Sequence, residues 1–193
     1  MSGPTRRAVF LDRDGTINEE VNYLRRQEDV RLIEGAGRAI ARLNAAGVLV
    51  VVVSNQSGLA RGLFDESDLA SVQIELNRQL RAHGARVDGW YFCPHHPEGV
   101  VEHYALTCDC RKPAPGLIMQ AAQEMGLSLR GSFMVGDRLL DVACGRKVGL
   151  STVLVATGHD DGPPVGEHET PDHQAADLAR AVDWILEHLG RVD

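Results

Sequence analysis

A chain of 193 residues, 44% hydrophobic and 24% charged, is sized for one globular domain that buries most of its apolar surface. Its formal net charge of −7 excludes an extended nucleic-acid surface, which needs a basic stripe, but leaves room for a phosphate pocket built from a few cations. Its longest apolar run, residues 45–53 interrupted by Gly47, is far short of a membrane span, so no membrane partner is expected.

Residues 1–6 read as a disordered leader, and Arg6 and Arg7 precede too few apolar residues for a signal peptide, so a cytoplasmic location is expected. Residues 8–11 are a short apolar run, expected as a buried strand, that stops on Asp12-Arg13-Asp14-Gly15-Thr16. Two carboxylates one residue apart at a strand end repel each other unless a cation lies between them, which suggests a hard metal such as Mg²⁺. Gly15 permits the sharp turn and a close backbone approach to a ligand. A calcium loop counted from Asp12 needs Gly at its sixth position and Glu at its twelfth, where Ile17 and Tyr23 stand. A solvated turn is the remaining alternative.

Residues 18–33 are polar and irregular, a loop on the ligand side of the first strand. Ala36, Ala39, Ile40 and Leu43 at helical spacing predict a helix over 35–46, ended by Gly47. The β-branched run 48–53 predicts a second strand, crowned by Ser54-Asn55-Gln56-Ser57-Gly58. Asp65 is the expected N-cap of a helix to about residue 83, with Leu69, Val72, Leu76 and Leu80 on one face. A weaker strand over 87–92 leads into a loop over 93–110 and then Arg111-Lys112-Pro113-Ala114-Pro115, with Pro115 starting a helix to residue 125. A fourth strand over 132–135 ends in Gly136-Asp137-Arg138-Leu139-Leu140-Asp141, and a short helix and a fifth strand over 151–155 follow. Residues 157–171 read as a mobile surface segment, with His159, His168 and the neighbouring His173 solvated. Asp172 is the expected cap of a last helix with Leu178, Ala181, Val182, Ile185 and Leu189 inward.

The alternation predicts an α/β chain, one doubly wound, Rossmann-like parallel sheet with helices on both faces. Right-handed crossovers bring the carboxyl ends of all strands to one edge, where such sheets bind ligands. That edge collects Asp12, Asp14, Ser54, Lys112 and Asp137. Lys112 alone would read as a surface lysine; its place after a loop, beside Arg111 and before two prolines, argues for the site. The set suits phosphoryl transfer to an aspartate. Mg²⁺ held by Asp12, Asp14 and Asp137 would neutralise nucleophile and phosphate, with Ser54 and Lys112 donating to the equatorial oxygens. Asp14 would protonate the leaving oxygen and then deprotonate water, which suggests that it meets the metal through its backbone carbonyl.

A second constellation lies in the 93–110 loop. Cys93-Pro94-His95 and Cys108-Asp109-Cys110 offer three thiolates and one imidazole, a closed tetrahedral set that favours structural Zn²⁺. His96 is an alternative to His95, and Cys144 reads as a small buried hydrophobe.

Asp12-Arg13-Asp14-Gly15-Thr16, Ser54, Lys112 and Gly136-Asp137-x-x-x-Asp141 resemble, in order, the four motifs of the haloacid dehalogenase superfamily, across roughly residues 8–158. The resemblance implies strand order 3-2-1-4-5, Asp12 as a covalent nucleophile on the central first strand, Asp14 as acid and base, and Asp141 supporting a metal-bound water. The loop Tyr91-Phe92-Cys93-Pro94-His95-His96-Pro97, the stretch Cys108 through Pro113, and Ser54 through Gly62 are similar to the D-glycero-D-manno-heptose-1,7-bisphosphate 7-phosphatase family. This implies a phosphorylated seven-carbon sugar as substrate, on the route to nucleotide-activated heptose. Its C7 phosphate is lost and its anomeric phosphate kept. Substrate contacts are implied for Arg13, Glu20, Val21, Asn22, Tyr23, Ser54, Asn55, Gln56, Ser57, Arg111 and Arg138. The chain departs from relatives that often carry Thr at Ser54 and Lys at Arg138; both changes keep a donor.

Between Asp14 and Ser54 there is room for only a loop, a helix and a strand, so a capless fold is expected; the chain is expected to be a monomer. Selectivity would then come from shallow loops, with Arg111 gripping a second phosphate bidentately. Histidinol-phosphate phosphatase shares the capless fold and zinc loop and is the rival activity. A catalytically silent, zinc-stabilised binding module is the rival of another class, and it need not keep Asp12, Asp14, Lys112 and Asp137 together.

Overall fold

The computed structural model describes residues 6–189; the expected leader lies outside them except for Arg6, which opens β1 (Arg6–Leu11). Side chains alternate along β1, so Val9 and Leu11 enter one core layer while Ala8 and Phe10 enter the other. β1 therefore has to be central. It pairs in parallel with β2 (Leu49–Asn55) on one side and β4 (Leu127–Gly136) on the other. β3 (Gly89–Cys93), β5 (Ser151–Val155) and β6 (His173–Ala175) complete a parallel sheet ordered β3-β2-β1-β4-β5-β6. Leu11 faces Val52 and Val135 across the ladder, so the residues that follow on all three strands leave the same edge together.

Helices α1 (Ala36–Ala45), α2 (Glu66–Ala82) and α5 (Leu178–His188) cover one face through Ile40, Leu43, Leu80, Val182 and Ile185. Helices α3 (Gly116–Met125) and α4 (Leu139–Arg146) cover the other through Leu117, Ile118, Ala121 and Cys144. Asp65 caps α2 as expected, accepting from the Ser67 and Asp68 backbone, and Asp68 returns the bond to Asp65 N. The loop after β1 is less irregular than its composition suggested. It holds a 3₁₀ turn at Gln27–Asp29 and packs Leu24 and Val30 against Val72 and Leu76 of α2.

The sheet differs from the sequence expectation at two places. β4 starts five residues earlier than residue 132, because the register shifts beside Arg7 and Ser132 Oγ accepts Ala8 N at 2.9 Å, filling the broken rung. A sixth strand, β6, occupies the stretch expected to open the last helix. Asp172 is not that helix's cap. It accepts Thr152 N at 2.8 Å and pairs with Arg146 at 2.8 Å, tying β5 to α4, while Asp177 caps α5 by accepting Arg180 N. His173 is stacked on Trp184 rather than solvated, with centroids 5.0 Å apart. Among the described residues no helix is long and apolar enough to cross a membrane.

Candidate active site

Asp12 leaves the end of β1, Ser54 lies at the end of β2, and Asp137 follows β4 directly, so the sheet edge gathers them as register requires. Lys112 arrives from the other direction, on the loop before α3, and is buried. Its Nζ lies 2.8 Å from Asp12 Oδ1 and 2.6 Å from Asp141 Oδ1, and donates to the Val53 carbonyl at 2.8 Å. Burial alone would lower the Lys112 pKa, but the two carboxylates overcome it and raise it above the ordinary lysine value. The Asn55 amide grips the Lys112 backbone at both ends, donating to Lys112 O at 3.1 Å and accepting Lys112 N at 3.0 Å. Asn55 thus fixes the lysine's position from inside the cleft wall.

Asp12, Asp137 and Asp141 each bring a carboxylate oxygen within 4.8 Å of the others. Burial, then the Asp12 charge, raises the Asp137 pKa. Burial pushes Asp141 up to about 7, against the pull of Lys112 and with the help of Asp12 and Asp137. Two of the three carboxylates, Asp12 and Asp141, thus share one ammonium. Asp137 Oδ1 is buried without a hydrogen-bond partner. An orphaned anionic oxygen beside excess negative charge fits a hard divalent cation. The carboxylates also leave no room for side chains around them. A Cβ built on Gly15, whose φ is +73°, would come 2.4 Å from Asp137 Oδ2, and one on Gly158 would come 2.0 Å from the same atom.

The Asp14 side chain stands apart from this trio. Arg13 clasps it through Nε at 3.0 and 3.1 Å and Nη2 at 2.7 Å, with Asn18 donating at 2.9 Å and Gln56 at 3.1 Å. Burial would raise its pKa, but the Arg13 charge and these hydrogen bonds bring it below the usual carboxylate value. Gln56 Nε2 also donates to Ser54 Oγ at 2.8 Å, which leaves the serine hydroxyl hydrogen for a ligand. Arg13 and Gln56, both buried, therefore bind Asp14 directly.

The trio opens into a cleft of about 210 Å³ walled by Glu20, Asn22, Tyr23, Ser57, Arg111 and Arg138 among others. That volume is below the range for an enclosed small-molecule pocket, so the cleft is a shallow one. Tyr23 sits at φ +64°, uncommon for a bulky residue, and Val21 lines the adjoining groove rather than the cleft. Arg111 is braced by Nη1 donating to the His95 carbonyl at 3.2 Å.

Cys93, His95, Cys108 and Cys110 converge as expected, with ligand atoms within 4.8 Å of one another. Sulfur–sulfur distances of 3.0, 3.1 and 3.5 Å exclude a disulfide, and His95 Nδ1 lies 3.3 Å from Cys110 Sγ. Burial raises the Cys93 and Cys110 pKa values. Three sulfurs and one imidazole nitrogen with no other acceptor between them fit tetrahedral Zn²⁺. His96 is turned away, accepting Glu98 N at 3.1 Å with Arg61 Nη2 also 3.1 Å from its ring, which decides between the two histidines.

Composition had assigned 157–171 to a mobile segment, yet its first five residues are pinned to the site. Thr157 Oγ1 donates to Gly15 O at 2.6 Å, and His159 N donates to Asp137 Oδ2 at 2.8 Å with Nδ1 3.3 Å from the same oxygen. Asp161 binds Arg138 at 2.8 Å and accepts Leu139 N at 2.9 Å. His159 and Asp161 were missed. The only signal for them was that this stretch follows the fifth strand and so leaves the same sheet edge.

The sequence model of a family described as HAD-hydrolase-like matches residues 109–181. A D-glycero-beta-D-manno-heptose-1,7-bisphosphate 7-phosphatase from Yersinia pestis is 39% identical over 183 residues, 94% of this chain and 90% of that protein. A D-glycero-D-manno-heptose-1,7-bisphosphate 7-phosphatase from Thermosynechococcus vestitus is 44% identical over 191 residues, 95% of this chain and 97% of its own length. The crystal structure of D,D-heptose 1,7-bisphosphate phosphatase from B. bronchiseptica, complexed with magnesium and phosphate, superposes with a TM-score of 0.80 at 34% identity. It covers 94% of this chain and 98% of that one.

Proposed function

The chain belongs to the D-glycero-D-manno-heptose-1,7-bisphosphate 7-phosphatase family of haloacid-dehalogenase-like hydrolases. From that premise we propose that it removes the C7 phosphate of D-glycero-D-manno-heptose 1,7-bisphosphate, with Asp12 as the nucleophile. One observation carries the reading: three buried carboxylates crowd the carboxyl edge of the sheet with a single lysine between two of them. Such an arrangement is costly unless it serves a cation and a phosphate.

Lys112 holds Asp12 Oδ1 and so leaves the other oxygen to attack phosphorus. Asp14 delivers a proton to the departing C7 oxygen, and the phosphoryl group passes to Asp12 as an acyl phosphate. Water then attacks that phosphorus, Asp14 takes the water proton, and inorganic phosphate leaves with Asp12 regenerated. The clasp of Arg13, Asn18 and Gln56 suits Asp14 as the base of the second half; as the acid of the first half it has to release Arg13. Ser54 donates to the transferring oxygens, and Lys112, whose ammonium is taken up by Asp12, Asp141 and the Val53 carbonyl, contributes its positive charge beside them. Asp12, Asp137 and the Asp14 carbonyl would hold Mg²⁺, which would supply the charge neutralisation that lets one anion approach another. Cys93, His95, Cys108 and Cys110 would hold Zn²⁺, which would fix the loop that carries Arg111 and Lys112.

Glu20, Asn22, Tyr23 and Ser57 border the sugar, and Arg111 and Arg138 meet its phosphates. The unbridged thiols suit a reducing compartment, so a cytoplasmic location is part of the proposal. All these residues come from a single chain acting as one domain and a monomer. ³¹P NMR on the α and β heptose bisphosphates tests the reading. The C7 ester signal should give way to inorganic phosphate while the anomeric phosphate stays. Release of the anomeric phosphate, or hydrolysis of histidinol phosphate alone, would contradict it.

A further inference from the structure

Arg138 stands at the cleft wall on a long side chain that is 41% exposed, so its position needs a cause. Asp161 supplies one. Its carboxylate takes the Nε and Nη2 edge of the guanidinium, with Nε at 3.2 and 3.3 Å and Nη2 at 2.8 Å. The other edge, carrying Nη1, has no partner among the described residues. Asp161 is itself held, since its Oδ2 accepts Leu139 N at 2.9 Å at the first turn of α4. The backbone behind it is fixed by Thr157 on Gly15 O and by His159 N on Asp137.

We propose that Asp161 is a positioning residue: it locks one edge of Arg138 so that the free edge faces the cleft and grips an oxyanion of the phosphorylated sugar. The inference rests on the substrate reading above and adds a residue to it. A guanidinium has two hydrogen-bonding edges, so one carboxylate can orient it without exhausting its donors. A flexible arginine loses rotamer freedom when it binds, and a residue that has already fixed it removes that cost from the binding step. The carboxylate also weakens the local positive field. With Asp161 on the far edge, pre-orientation outweighs that loss.

The test is a double-mutant cycle on heptose bisphosphate turnover. Asp161→Ala should lower kcat/KM roughly three- to tenfold, the cost of fixing one long side chain, and most of the loss should fall in KM. Asp161→Glu should recover part of it. In an Arg138→Ala background, Asp161→Ala should have no further effect. A loss of the same size in that background, or one confined to kcat, would overturn the inference and leave Asp161 as a cap of α4. A substrate-free readout separates this from the functional reading. In ¹⁵N-labelled protein the Arg138 Nε–H resonance, assigned by its loss in Arg138→Lys, should be protected from exchange and become free-like in Asp161→Ala. A free-like resonance already in the unmutated protein overturns the positioning role. A protected one in a protein that does not turn over the bisphosphate overturns the substrate reading alone.

Discussion

Arg111 and Lys112 are neighbours with different duties. Lys112 is buried and spent on Asp12, Asp141 and the Val53 carbonyl, whereas Arg111 reaches the cleft and is braced on the backbone of His95. A braced guanidinium can take two oxygens of the phosphate that is kept, a charge-assisted contact whose loss costs about 1.5–3 kcal/mol. Arg111→Ala should therefore lower kcat/KM for the bisphosphate roughly tenfold to over a hundredfold, with a much smaller effect on p-nitrophenyl phosphate. Equal losses on both substrates would make Arg111 part of the general phosphate site. Gly158 gives a second prediction. Its Cβ would come 2.0 Å from Asp137 Oδ2, so Gly158→Ala should displace that carboxylate and lower turnover of any ester about a hundredfold while circular dichroism stays unchanged. Wild-type turnover would show that the close packing is dispensable. Neither Gly158 nor Asp161 was legible as a site residue, because each acts only where the crossover brings residues 157–161 back to Asp137 and α4. Asp12 and Asp137 could be picked out because an acid at a strand end carries its chemistry in its own type, and Lys112 only from its context beside Arg111 and before two prolines.

At the scale of elements, buried strands and amphipathic helices were readable because burial on two faces or one leaves a period of its own. β6 was not. It is three residues on the sheet margin, and its order comes from β5 and from Trp184 rather than from its own sequence. Leu43 of α1 is fully buried between helix and sheet, so Leu43→Ala should cost about 2–5 kcal/mol in urea unfolding. The cysteine loop is the other element whose order is not supplied by apolar packing alone. Cys108→Ser should lower bound zinc from about one per chain to near none, reduce Tm, and lower turnover as a consequence, because the loop runs directly into Arg111 and Lys112. A protein purified without chelator, its thiols kept reduced, that contains no zinc by elemental analysis would contradict this.

For the whole molecule, the sheet converts a linear order of motifs into one charged edge. Parallel strands deliver Asp12, Ser54 and Asp137 side by side, and the two loops at 93–112 and 157–161 close in from opposite flanks. Among the described residues no inserted domain covers this edge, and the proposed reading therefore rests specificity on those loops and on the residues after Asp14. In the proposed reaction this edge places a phosphoryl group on Asp12. Steady-state phosphate release from the heptose bisphosphate with Mg²⁺, comparing the unmutated protein with Asp12→Asn, tests it most directly. The amide is nearly isosteric and keeps the fold but has no nucleophilic carboxylate, so turnover should fall to background while thermal unfolding stays cooperative. An Asp12→Asn protein that releases phosphate at the unmutated rate would rule out Asp12 as the nucleophile.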